Sequence, residues 1–379
     1  MADIVIVGAG IGGLCAARAV TLAGHRPVLI ERSADTAAGA GLVLWPNAVR
    51  ALGELGCGQR VRVAAMTARQ VLICSAAGVT LSELDASQFG TIAGAPMLLI
   101  GRPELHRVLA ASLAPPRTGT VTAVDEHGVT LDGGERVDGE AVIGADGLHS
   151  VVRRFVAPAA RVVDSGYTAI RALADHALPD GLSLEIWGHG ELAGAAALPG
   201  GRSYWYYEAA TERFDPADPL AALDASRWPD PVPALAAATA ATAATATAAT
   251  AATATAGSTL LISPIRTVTP LPTWTRGRVA VLGDAAHAMA PNLGQGAAQA
   301  IEDAAALLTA LRGQDDMAAA LAGYAAARRP RATMVQRESG YLARLALTRY
   351  GQARDLLVRA TPDRVRAIAV NRLITPGPA

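Results

Sequence analysis

Short apolar runs closed by glycine or an acid recur along the chain. Residues 3–7 (DIVIV) are the first, Pro27–Ile30 ending at Glu31 the second, and Arg278–Leu282 before Gly283 and Asp284 another. A strand that is apolar at every position is buried on both faces, as in parallel sheets covered by helices. Between the first two runs lie a glycine-rich turn and an alanine-rich stretch reaching about Gly24. The chain is therefore predicted to open as a βαβ unit.

Elsewhere the pattern changes. Residues 69–84 (RQVLICSAAGVTLSEL) read as a hairpin turning at Ala76-Ala77-Gly78, outside the parallel sheet. Arg102–Leu113 is predicted as a helix with Pro103 in its first turn. Strand signals near 119–131 and 136–143 lead into Gly144-Ala145-Asp146-Gly147. From about 165 to 208, short strands with aromatics and Gly/Pro turns (SGYTAIRAL, LSLEIW, AGAAAL, SYWYYEA) predict an antiparallel sheet roofing a pocket. Residues 236–256 hold only alanine and threonine, which predicts a helix beginning near Val232 and fraying into a linker. A long helix is expected from about Ala297. Residues 328–379 read as helical, with 11 arginines against Glu338, Asp355 and Asp363, a pattern expected of a solvated helix face.

At 379 residues the chain is more than twice a typical ~150-residue domain, and 51% hydrophobic against 17% charged residues gives it ample core. The 33 basic residues, all arginine, balance 33 acidic ones, which argues against nucleic acid as a partner. Cys15, Cys57 and Cys74 lack metal-ligand spacing, so neither a metal site nor a disulfide framework is expected. With no basic leader and no apolar run of about 20 residues, a cytoplasmic protein without a membrane span is expected.

Two constellations carry chemistry. Gly8, Gly10 and Gly13 follow the first strand, and Glu31 comes 18 residues after the last of them. Glycine lets the backbone approach a pyrophosphate seated against a helix N-terminus, and an acid ending the second strand can accept from ribose hydroxyls. Strand, turn, helix, strand and acid in that order predict dinucleotide binding, but Glu31 does not separate FAD from NAD. The second constellation does: Gly283-Asp284 ends a buried strand, and Pro291-Asn292-Leu293-Gly294-Gln295-Gly296 opens a helix. Two strand-end sites suit one long ligand, with Asp284 placed for a ribityl hydroxyl. N–H groups near Leu293–Gly296 would meet the electron-rich edge of an isoalloxazine.

At this point the sequence resembles the FAD-dependent aromatic hydroxylase type of monooxygenase, the single-component class A flavoproteins. GAGIGG with Glu31, GADGLHSVVR (144–153) and VLGDAAHAMAPNLGQGAAQAIEDA (281–304) match in order, as do GAGLVLWPNAVRAL (39–52) and GRPELHRVL (101–109). Residues 1–330 are covered, and the subgroup includes salicylate- and urate-type hydroxylases and zeaxanthin epoxidases. The resemblance implies an α/β fold: a Rossmann-like FAD-binding domain (1–70, 98–164 and 257–330) interleaved with an antiparallel β-sheet substrate domain (71–97 and 165–256). C-terminal helices would follow over 331–379. It places FAD, bound tightly and non-covalently, on Gly8, Gly10, Gly12, Gly13, Glu31 and Arg32. Arg102 would reach the pyrophosphate or ribityl, Asp146 with Arg153 would organise FAD and the nicotinamide, and Asp284 would hold the ribityl. Pro291, Gly294, Gln295 and Gly296 would line the flavin. His287 would be structural or beside the cofactor.

The implied activity is hydroxylation or epoxidation of an aromatic or polyketide-like small molecule with NADPH or NADH and O2. The route is a flavin C4a-hydroperoxide kept dry in an apolar pocket, with no metal. No side chain is assigned the chemical step. Candidate pocket residues are Arg171, Tyr204, Tyr206 and Pro291. Tyr204 to Tyr207 alternate on a strand, so one pair faces the pocket and the other the core. Ile170 stands where relatives carry an aromatic before the arginine, and residues 188–198 lack a basic residue suited to a urate-like anion. The expected substrate is therefore neutral or weakly acidic. A halogenase is disfavoured because the chain has no lysine. A flavin-binding protein or partner-reduced flavoenzyme that does not hydroxylate on its own is the alternative. A monomer or homodimer is expected.

Overall fold

A computed structural model describes residues 1–33, 41–215, 217–248 and 260–375. The Ala/Thr run from 249 onward and the domain boundary drawn at 257 lie outside these residues.

A six-stranded sheet runs in the order Thr275–Arg276 (β18), Val279–Val281 (β19), Ala141–Gly144 (β12), Asp3–Val7 (β1), Arg26–Glu31 (β2) and Arg117–Thr118 (β8). All its pairs are parallel except the β18–β19 edge. Ile4, Val5 and Ile6 are wholly buried, as their unbroken apolar run requires. The helix Ile11–Leu22 lies against the helix Gly296–Gly313, so the first motif packs on the last. Val7 is in register with Gly144, and Gly144 with Val281, so the carboxyl ends of β1, β12 and β19 stand side by side.

The second large sheet has seven strands. Their order is Leu261–Val268 (β17), Val162–Ala174 (β13), Arg202–Ala210 (β16), Glu191–Leu198 (β15), Leu182–Trp187 (β14), Gln70–Ser75 (β5) and Thr80–Asp85 (β6). Only the β14–β5 pair is parallel. One face buries Ile170, Trp205 and Tyr207 against the helix Val232–Ala248, where Trp205 donates to Thr239 (2.8 Å). The alanine–threonine segment thus begins as part of the core. The opposite face meets a small sheet ordered Gly41–Leu44 (β3), Leu98–Gly101 (β7) and Met66–Thr67 (β4). A side sheet of Val121–Asp125 (β9), Gly128–Leu131 (β10) and Arg136–Asp138 (β11) completes the architecture.

Four expectations need correction. Strand β17, expected in the 257–330 part of the cofactor domain, pairs with β13 and extends the seven-stranded sheet. The same sheet takes up β13 from Val162, before the boundary drawn at 164. The boundary at 330/331 falls inside one continuous helix, Met317–Ala346, which contains Pro330. Finally, the C-terminal arginines do not all lie on a solvated face: Arg328, Arg331 and Arg354 are buried. Arg354 donates to the carbonyls of Trp187 (3.1 Å), the last residue of β14, and Ala346 (2.7 Å), fastening the C-terminal helices to that strand.

Candidate active site

Three loops meet where the strand ends line up. In the first, Gly8 has φ +100°, and a Cβ there would lie 2.4 Å from the Ala145 carbonyl oxygen. A Cβ on Gly13 would come within 1.8 Å of the Gly8 carbonyl oxygen, so helix and strand pack this closely only with glycine. Gly10 differs. Its Cβ would meet nothing within 4 Å, although it caps the helix Ile11–Leu22 without any side-chain cap. The free end of that helix therefore faces open space. Glu31 accepts from the Ala9 N–H (2.7 Å) and the Ser33 N–H (3.1 Å), which fixes its carboxylate beside the turn, with Arg32 exposed next to it. Gly12 is held by packing, since its Cβ would come 2.9 Å from the Leu282 side chain.

In the second loop Asp146 is turned towards its own chain. It accepts from Ser150 Oγ (2.5 Å), Val151 N–H (2.6 Å) and Val152 N–H (3.2 Å), capping the helix Val151–Val156. Burial pushes its carboxyl upward and those donors hold it back. Arg153 donates to the carbonyls of Leu148 (2.6 Å) and Ala285 (3.1 Å), tying this loop to the third.

The third loop turns at Gly283, φ +58°, whose N–H donates to Asp303 Oδ2 (3.0 Å). Asp303 also bonds His287 Nε2 (2.7 Å) and accepts from Arg328 Nε (2.9 Å). Arg328 and Arg331 both pair with Glu302 (3.1 and 3.0 Å). His287 is thus one member of a buried polar cluster that shapes the turn. Asp284, just beyond, is exposed.

Next comes the segment from Pro291 to Gly296. Gly294 has φ +61°, Gln295 is buried, and a long helix starts at Gly296. Asn47 donates to Gln295 Oε1 (3.1 Å), leaving Gln295 Nε2 and Asn47 Oδ1 buried without partners. Asn292 Oδ1 and Arg102 Nε are orphaned as well. Arg102 lies within electrostatic reach of Asp284 and Arg171, and burial pushes its guanidinium down. Native chains rarely bury such groups unsatisfied. Those of Asn292, Gln295 and Asn47 lie on or against one turn and Arg102 near Asp284, and together they fit the polar rim of a planar heterocycle with a polyol tail, as in FAD.

The substrate sheet presents its other face here. The β register places Glu185, Gly194, Tyr206 and Arg171 in one row across four strands, with Tyr204 and Glu208 on either side along β16. Tyr204 and Tyr206 therefore share this face, their rings 5.6 Å apart, while Trp205 and Tyr207 point to the core on the other. Tyr206 donates to Glu185 Oε2 (2.6 Å), as does Trp187 to the other oxygen. Arg171 donates to Ser263 (2.9 Å). Glu208 is 2% exposed and interacts with Arg171 and Asn292, which bridges it to the exposed Pro291 turn. Burial and the neighbouring Glu185 carry its pKa to about 8. Sequence reasoning missed Glu185 and Glu208, although the two-residue period that grouped Tyr204 with Tyr206 also covers Glu208.

Gly194 makes this arrangement possible, because a Cβ there would sit 2.2 Å from Tyr206 Cζ. We expect Gly194→Ala to force the Tyr206 ring off Glu185 and cost about 1–3 kcal/mol. Urea unfolding of the two proteins measures the loss, and an unchanged midpoint would contradict the packing described.

Among the described residues no helix is long and apolar enough to cross a membrane, and no metal-ligand cluster occurs. A family model described as an FAD binding domain matches residues 1–339. The 2-heptyl-3-hydroxy-4(1H)-quinolone synthase of Pseudomonas aeruginosa is 33% identical over 384 residues, covering 98% of this chain and 97% of that protein. The aurachin C monooxygenase/isomerase of Stigmatella aurantiaca is 32% identical over 345 residues, covering 87% and 85%. The solved structure of Klebsiella pneumoniae HpxO complexed with FAD and uric acid shares the fold, with a TM-score of 0.85 at 24% identity over 99% of this chain and 97% of that one. Motif loops set on three adjacent strand ends, and a match spanning nearly the whole chain, place it plainly: it belongs to the FAD-dependent aromatic-hydroxylase-type monooxygenases.

Proposed function

We propose that this monooxygenase uses NAD(P)H and O2 to hydroxylate a flat, neutral N-heteroaromatic of the 4(1H)-quinolone kind. The observation that carries the reading is the apposition of the Tyr204–Tyr206–Glu208 face to Asn292 in the flavin-side turn. Two stacked-range aromatic rings and two carboxylates suit a planar molecule with hydrogen-bond donors. The quinolone product named for the Pseudomonas relative is of that type. The relatives are named as synthases, hydroxylases and monooxygenases, which leaves the non-hydroxylating alternative without support.

In this reading the helix end at Gly10 to Gly13 receives the pyrophosphate, and Glu31, with Arg32 at its flank, receives the adenosine ribose. Arg102 and Asp284 hold the ribityl–phosphate stretch, and Gly294 to Gly296, with Asn47, hold the ring edge. Asp146 contributes through the shape of its loop, since its oxygens are taken by Ser150, Val151 and Val152. Bound FAD supplies the chemistry, accepting two electrons from NAD(P)H and, once reduced, activating O2. The chain's own task is to orient the substrate ring with Tyr204 and Tyr206, accept its donors, and keep water out.

Anaerobic mixing of the FAD-loaded protein with NADH or NADPH, across a panel of quinolones and hydroxybenzoates, tests this. Loss of the visible flavin absorbance should speed up markedly with a quinolone. Flavin that neither nucleotide reduces, with any ligand, would overturn the reading.

A further inference from the structure

The substrate face carries more negative than positive chemistry, which is unexpected for an enzyme of anionic aromatics. Glu185 and Glu208 stand on neighbouring rows of it, and among the described residues neither forms an ion pair. Arg171, the cation beside them, is engaged by Ser263 and shares its surroundings with Arg102. Tyr206 spends its hydroxyl on Glu185, so Glu185 is held fast while Glu208 points toward Asn292 and the flavin-side turn. Nearly complete burial keeps Glu208 away from bulk water.

We propose that Glu208 is the proton acceptor of this pocket: it takes the proton from a ring N–H or hydroxyl of a neutral aromatic substrate, and with Glu185 it turns away aromatics that carry a carboxylate. The proposal rests on the monooxygenase reading of the site. In the step, the substrate X–H bond breaks and an O–H bond forms on Glu208. The electron pair stays on the substrate heteroatom and enriches the ring for attack on an electrophilic oxygen. After oxygen transfer the proton returns from Glu208 to the product.

The groups facing Glu208 set its titration. Glu185 on β14 opposes its ionisation, Arg171 on β13 favours it, and Asn292 hydrogen-bonds to it. Tyr204 and Tyr206 on its own strand are held neutral, because burial pushes both upward. A base poised near the working pH is the efficient one for such a transfer. Like charges confined together disfavour a second anion, which is how a carboxylate ligand is excluded.

The test uses the FAD-loaded protein without NAD(P)H, so it is read without turnover. The probes are 2-naphthol, whose hydroxyl like that of tyrosine ionises near about 10 in water, and 2-naphthoate. On binding, 2-naphthol should show its absorbance shift to longer wavelength as pH rises through about 8, because the ionised Glu208 then accepts the hydrogen bond of its hydroxyl. Glu208→Gln should bind the probe without that pH-dependent shift, while Glu185→Gln should move the transition to lower pH. Above about pH 8, where Glu208 is ionised, wild-type protein should bind 2-naphthoate at least about tenfold more weakly than 2-naphthol, and Glu208→Gln should recover most of that factor. Retained flavin absorbance certifies that each variant is folded. The same pH-dependent shift in Glu208→Gln, tighter binding of 2-naphthoate than of 2-naphthol above about pH 8, or no binding of either compound would each overturn the proposal. Failure of every quinolone to be hydroxylated would instead count against the proposed function and leave this proton transfer standing.

Discussion

Gly10→Val is expected to strip the protein of FAD while leaving its fold in place. The two neighbouring glycines cannot separate these effects. A Cβ at Gly8 would strike Ala145 and one at Gly13 would strike Gly8, so changes there damage the chain before any ligand is considered. At Gly10 a side chain meets no protein atom within 4 Å, and the backbone, at φ −68° and ψ −175°, is extended and open to any residue. The space a valine would fill is the approach to the helix end where a pyrophosphate would sit. FAD affinity should fall by at least about two orders of magnitude, roughly 3 kcal/mol. Stability of the FAD-free form should change by no more than about 1 kcal/mol, the cost of a poor helix cap. Flavin retained through gel filtration, set beside urea unfolding of the FAD-free proteins, measures both. A variant that keeps its flavin would show that the dinucleotide lies elsewhere.

Asp303→Ala is expected to be the most destabilising single change among the groups that hold the third loop. Asp303 is wholly buried and accepts from Gly283 N–H and Arg328 Nε, and it also bonds His287. Removing it leaves Arg328 with only Glu302 and Gln299, frees the backbone donor of the Gly283 turn, and strands an imidazole beside Trp274. Breaking a buried pair in this way costs about 3–5 kcal/mol. Burial alone would raise the Asp303 pKa, but His287 and Arg328 outweigh it and the carboxyl lies below its usual value. A carboxylate depressed on folding stabilises the native state above its unfolded pKa and loses that contribution as pH falls through the folded value. Wild-type protein should therefore lose this contribution only well into the acid range, and Asp303→Ala should have a flatter acid limb. Unfolding midpoints from about pH 5 down to about pH 2 read the difference. Equal slopes for the two proteins would contradict the role assigned to Asp303.

The cofactor half of the molecule was legible in the sequence because its signals are local. A continuous apolar strand, a glycine turn and an acid 18 residues on are all consecutive in the chain, and parallel sheets fix their relative positions. What stayed hidden depends on pairing at long range. Strand β17 has alternating exposure and lies after the Ala/Thr run, and only its antiparallel pairing with β13 assigns it to the second sheet. Asp303 and Arg328 look like ordinary charged helix residues, and it takes the packing of two helices to bring them together. The buried Arg354 likewise reads as one more charge in a basic tail until its carbonyl partner on β14 is seen. Glu208 was within reach: parity along β16 puts it with Tyr204 and Tyr206, but its meaning comes from Glu185, two strands away.

Following the oxygen itself shows whether the protein hydroxylates quinolones. The FAD-loaded protein is supplied with NADH or NADPH, a series of 4(1H)-quinolones, and 18O2, and the products are weighed by mass spectrometry. One 18O atom should enter the quinolone product for each NAD(P)H consumed. Oxidation of NAD(P)H that yields only hydrogen peroxide with every quinolone, or product oxygen drawn from water, would contradict it.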